Sequence, residues 1–143
     1  MENNSKYSKH IVTDRVVPDE FNNPKLLEEL DKRNRLILWL DDKIVPGAFQ
    51  MNCCWYLAPM EMTDVHHHEI PEIIGFFGND PQNPNDLGGE IEFWLEEEMF
   101  TITKSAMIFV PPGMTHCPLI VKRVDRPIFH YSTILKGEYD MKH

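Results

Sequence analysis

The sequence predicts an all-β, single-domain protein, an antiparallel sandwich or barrel preceded by one short helix. Eight short runs rich in β-branched and aromatic residues follow one another from residue 35 onward, mostly bounded by Gly, Pro, Asn or charged residues. A helical pattern shows only near the start of the chain. At 143 residues, with 42% apolar and 26% charged residues, the chain is long enough for one hydrophobic core and short for two.

Residues 1–35 read as an N-terminal extension and residues 36–143 as the barrel domain. Within the extension, "HIVTDRVV" has the composition of a strand that could pair with the domain or with a partner subunit. "NPKLLEELDKRN" predicts a short helix, with Asn23 as cap, Pro24 in the first turn and Leu26, Leu27 and Leu30 apolar. The strand candidates are then "RLILWLDD", "AFQMNCCWYLAP", "EIIGFFG", "GEIEFWLEE", "EMFTITKS", "AMIFVPP", "PLIVKRV" and "PIFHYSTIL". "LEEEM", residues 95–99, reads as a hairpin turn, and "NDPQNPNDLGG", residues 79–89, as the longest connection.

Charge and composition exclude several classes of function. The net charge is −9, from 14 Lys+Arg against 23 Asp+Glu, and no segment gathers a basic face, so nucleic acid is not an expected partner. No stretch approaches the roughly 18 apolar residues of a membrane helix, and the first residues contain no apolar signal core. Three cysteines, two of them adjacent, make a disulfide framework improbable and point to a reducing, cytoplasmic setting.

The chemistry concentrates in "VHHHEIPEII". If His66 and His68 lie on a strand or its extended entrance, the period of two points both to one face and sends His67 to the other. The same parity carries Glu72, Ile74 and Phe76 to the face of His66 and His68. Imidazole nitrogen and carboxylate oxygen together suit one divalent transition metal, Zn, Fe, Mn, Ni or Co. A fourth donor would come from elsewhere, and "FVPPGMTHCPL" offers His116 after a Pro/Gly turn.

These two segments resemble the motifs of the cupin superfamily. His66, His68, Glu72 and Gly78 are similar to its H-x-H, E, G motif, and Pro111, Gly113 and His116 to its P-x-G-x-x-H motif; the resemblance spans roughly residues 40 to 135. Ile120 stands where an Asn often follows the second-motif histidine, and Gly78 falls one residue early. The resemblance implies a double-stranded β-helix, or jelly-roll barrel, with a metal held by His66, His68, Glu72 and His116. It further implies a small-molecule substrate or ligand and, as in many small barrels of this kind, a homodimer.

Other residues carry weaker expectations. His130 alternates with Ile128 and Ser132, so it is a candidate general acid or base if that face is inward, and Tyr56 is a second candidate for moving a proton. Against this stands the ordinary half-buried strand histidine. Cys117, directly after His116, is turned away from the metal by parity, while Cys53 and Cys54 face opposite sides as small core residues rather than nucleophiles. Arg123 and Arg126 are solvated strand-end residues or carboxylate anchors. The functional expectation is a metal-dependent enzyme acting on a small oxygenated or carboxylate-bearing molecule by Lewis-acid or dioxygenase-type chemistry; a non-catalytic binding or sensor protein is the alternative.

Overall fold

A computed structural model of the chain describes residues 5–136 and 141–143. Two short 3-10 turns, Ser8–His10 and Asp19–Phe21, lead into α1, Pro24–Asp31. The helix starts where the sequence predicts. The Asn23 side chain accepts from the backbone N–H groups of Lys25 and Leu26 at 3.0 and 3.1 Å, and Pro24 occupies the first turn, where its missing N–H costs no hydrogen bond.

Nine strands follow: β1 Asn34–Leu40, β2 Met51–Tyr56, β3 Met60–Met62, β4 Glu72–Phe77, β5 Asp86–Leu95, β6 Glu98–Lys104, β7 Ala106–Val110, β8 His116–Val124 and β9 Ile128–Ile134. They form two antiparallel sheets, β1-β2-β9-β4-β7 and β3-β8-β5-β6. All eight expected strands are present. β3 was missed because three residues between Pro59 and the histidine run show no period, and β5 begins inside the expected 79–89 connection.

"HIVTDRVV" forms no strand against the domain, contrary to one expectation for it. Arg15 anchors the segment instead, donating to the Leu36 carbonyl at 3.3 Å and to the Asp31 carboxylate at 3.0 Å. Those side-chain bonds leave the segment's backbone outside any ladder.

Alternation decides what lies inside. Along β9, Ile128, His130, Ser132 and Ile134 are buried while Phe129, Tyr131 and Thr133 are only partly so. β4 sends Glu72, Ile74 and Phe76 inward and leaves Ile73 exposed. Tyr56, Phe76, Phe93, Leu87, Ile91, Val121 and Ile128 complete the packing between the sheets. Trp55, Phe129 and Tyr131 fall on the outer face, so about half of the aromatic residues fill the interior as period-two alternation requires. The "LEEEM" turn is the β5–β6 hairpin, with Glu96 at φ 52°. Arg126 meets Asp86 at 2.9 Å and Arg123 meets Asp125 at 3.0 Å, so both arginines serve surface ion pairs. Among the described residues, no helix is long and apolar enough to cross a membrane.

Candidate metal centre

The histidine run lies just before β4. His66 pairs with His116 by two backbone hydrogen bonds, 3.2 and 2.9 Å, so the run and the start of β8 form one short bridge between distant parts of the sequence. On its other side His67 pairs with Lys142, at 2.8 and 2.7 Å. Strand parity then holds across the run: His66 is 7% and His68 2% exposed, whereas His67 turns outward to Glu69 at 3.7 Å.

The structure brings His66, His68 and His116 together, with their ring nitrogens within 4.8 Å of one another. Glu72, 3% exposed, lies beside them; its Oε1 is 3.2 Å from His68 Nε2 and 3.0 Å from His116 Nε2. Burial alone would raise the Glu72 carboxyl, but hydrogen bonds from His116 and His68 outweigh it and hold the group at about 2. Glu72 is therefore an anion at neutral pH.

These residues fit a metal cation. His66 Nδ1 lies 2.8 Å from the Asp64 carbonyl, which can only accept, so Nδ1 carries the proton and Nε2 presents its lone pair. That Nε2 is buried and has no hydrogen-bond partner among the described residues. An unmatched inward acceptor is costly unless a cation meets it. Burial and the neighbouring His116 and His68 also push His66 below its ordinary pKa, which keeps the nitrogen basic to metal and free of a proton. His116 is oriented likewise, with Nδ1 3.2 Å from the Met114 carbonyl, leaving Nε2 toward Glu72 and the other histidines. A divalent ion would replace the proton that Nε2 otherwise needs to face a carboxylate.

A cavity of about 830 Å³ opens on this cluster, with His66, Glu72 and His116 in its wall. Both proposed proton carriers border it too. Tyr56 is fully buried, and His130, 8% exposed, stacks on both Tyr56 and Phe76 with ring centroids 5.0 and 5.1 Å away. His130 Nδ1 lies 2.9 Å from the Gly75 carbonyl and so carries the ring proton, leaving Nε2 as the acceptor; burial lowers its pKa to about 4, so the ring is neutral.

Sequence reasoning missed part of this wall. Asn52 and Ser132 border the cavity, and Asn52 Oδ1 accepts from Gln50 Nε2 at 2.9 Å and Ser132 Oγ at 3.0 Å. Their parity with Cys54 and His130 was the available signal. The parity expectation for Cys117 fails: its φ of 77° breaks the alternation of β8, and the residue borders the cavity instead of turning from it. Its thiol is pushed up to about 12 by burial and by the Glu72 charge, and burial likewise raises Cys53 and Cys54, so none is an activated nucleophile. Cys54 is buried inward and Cys53 faces the other side, as expected.

The sheet order, the paired sheets and a buried histidine cluster between them define the cupin fold, the double-stranded β-helix. Solved structures with the same fold support this. Peruvianin-I, a cysteine peptidase from Thevetia peruviana latex, matches with a TM-score of 0.60 at 11% identity over 96% of this chain and 78% of that one. A recombinant oxalate oxidase in complex with glycolate matches at 0.57 and 10% identity over 93% and 62% of the two chains. A cupin 2 domain-containing protein from Halorhodospira halophila matches at 0.53 and 12% identity over 79% and 69%. The chain spans only 40% of the DMSP lyase DddQ from Ruegeria pomeroyi DSS-3 and 62% of the oxalate oxidase. No protein-family model and no curated protein matches the chain. A peptidase and an oxidase on one fold make the fold a poor guide to activity, so function has to be argued from the site.

Proposed function

We propose that this chain is a metal-dependent cupin enzyme acting on a small oxygenated organic substrate. His66, His68, His116 and Glu72 would hold one divalent transition ion, Zn, Fe, Mn, Ni or Co. The observation that carries the reading is the buried His66 Nε2, without a hydrogen-bond partner among the described residues, beside two further histidines, an anionic carboxylate and a cavity. Such an ion supplies Lewis-acid polarisation of a substrate oxygen or, with iron, dioxygenase-type chemistry.

The chain's own residues supply the rest. Glu72 offsets the ion's charge and, if loosely held, could move a proton. His130 and Tyr56 line the cavity as candidate proton acceptor and donor, with the Gly75 carbonyl fixing the His130 ring.

A non-catalytic small-molecule-binding or sensor cupin is the second reading. It is favoured by the His130 pKa of about 4 and the Cys117 thiol at about 12, neither poised near neutrality. We also read the protein as a cytoplasmic homodimer without nucleic-acid or membrane partners. The three unpaired cysteines support the compartment, and the exposed Met107, Phe109 and Ile73 on the outer face of β7 and β4 support association.

Elemental analysis of untagged protein tests the proposal. One transition metal per chain, lost in a His66→Ala, His116→Ala double variant, is the expected result; a protein that stays metal-free after reconstitution overturns it. Metabolite turnover with and without O₂ then separates enzyme from sensor.

A further inference from the structure

The cavity at the histidine cluster continues along the N-terminal extension. Phe21, Leu26, Leu27 and Leu30 line it there, facing Trp39 and Met60 of the barrel. α1 buries none of its residues, and Phe21 and Leu26 remain 40% and 43% exposed. An amphipathic helix ordinarily covers its apolar stripe against a core. Here the stripe borders open space that is continuous with the candidate metal centre.

The polar groups of that space are unevenly placed. On the barrel side the described wall carries no Lys or Arg; its neutral polar groups include Asn52, Ser132, Tyr56 and the neutral His130. Asn52 Oδ1 is already taken by Gln50 and Ser132, so its amide presents N–H donors. Arg33 is the one Lys or Arg of the described wall, against Glu20, Glu29 and Asp31 of the extension and Glu61 and Asp64 of the barrel. A second anionic group on a bound molecule would lose its hydration in a wall whose carboxylates outnumber its one described cation.

Building on the metal-centred reading above, we propose that the cavity takes an amphiphile, with one oxygen-chelating head at the histidine cluster and one uncharged apolar tail laid along α1. The size suits this occupant, since small-molecule sites run to roughly 300–1,000 Å³, and a single cavity joins the two regions. Phe21, Leu26, Leu27 and Leu30 are the specificity-determining residues. They select for tail length and against a charged terminus.

Straight-chain hydroxamic acids provide the test on cobalt-loaded protein, with affinity read from the cobalt absorption spectrum. From acetohydroxamic to octanohydroxamic acid the affinity is expected to rise about 30-fold or more, because added methylenes leave water. The monohydroxamate of octanedioic acid, with its terminal carboxylate, is expected to bind at least about tenfold more weakly than octanohydroxamic acid. Leu30→Asp should abolish the gain in affinity with tail length. No dependence on tail length, or tighter binding of the carboxylate-ended probe, overturns the proposal.

A parallel measurement on metal-free protein uses N-phenyl-1-naphthylamine, a neutral apolar dye. Fluorescent uptake that Leu30→Asp removes supports the tail site. Absence of uptake overturns it, and if Leu30→Asp then also removes concentration-dependent self-association, the groove belongs to a second copy. Failure to load cobalt overturns the chelated head together with the metal-centred reading. The two failures are therefore distinguishable.

Discussion

Glu72 Oε1 on β4 lies 3.0 Å from His116 Nε2 at the start of β8, a contact that joins the two sheets at the histidine cluster. The carboxylate both orients the ring and offers an anionic ligand. Glu72→Gln keeps the volume and removes the charge, so metal affinity should fall on the order of 10- to 100-fold, as for groups that ligate or orient ligands. Chelator competition measures it, and unchanged affinity would place Glu72 outside the coordination set.

His130 gives the metal-free protein a defined pH response. Its unfolded-state pKa is about 6.5 and its folded value about 4, so the unfolded chain binds the extra proton between those values. The histidine's contribution is fully present above about 6.5 and is lost as pH falls toward 4. The loss amounts to roughly 3 kcal/mol at about 1.4 kcal/mol per unit. In urea unfolding at pH 7.5 and 4.5, wild type should lose more stability than His130→Gln by about that amount. Parallel profiles would show that His130 is not held neutral.

The last residues brace the histidine run. Lys142 and His67 exchange two backbone hydrogen bonds, and His143 Nε2 meets the Asp64 carboxylate at 2.9 Å, while the Asp64 carbonyl fixes the His66 ring. Removal of residues 141–143 should weaken metal binding by about tenfold and speed amide exchange at His67, with melting of the barrel little changed. Unaltered exchange at His67 would show that the run holds itself.

Gly78 closes the first motif for a steric reason. A Cβ there would sit 1.8 Å from the Asp86 carbonyl oxygen, while its N–H donates to Ser105 Oγ at 2.9 Å. Gly78→Ala is expected to cost about 3 kcal/mol or more, because the clash is with backbone that cannot swing aside. A thermal melt within a degree or two of wild type would contradict this.

Period-two alternation made the strands and most of the inward residues legible in the sequence. "PIFHYSTIL" placed Ile128, His130 and Ser132 on one face, and "EIIGFFG" placed Glu72 with Ile74 and Phe76, because successive strand side chains must point to opposite faces. The spacing of His66, His68 and Glu72 was readable for the same reason. Where local backbone departs from the period, as at Cys117 with φ 77°, the reading failed.

Long-range closure lay beyond such a rule. The pairing of His66 with His116, the cover of His67 by Lys142 and the apolar space along α1 depend on how the two sheets and the extension pack. "HIVTDRVV" shows the limit most plainly, since its strand-like composition yielded to Arg15 reaching Asp31 and Leu36. Sequence alone determined which residues could be ligands and which way they alternate, since both follow from side-chain chemistry and backbone geometry. Only the tertiary structure decided that three histidines and a carboxylate meet at one point, because that meeting rests on contacts between segments distant in the chain.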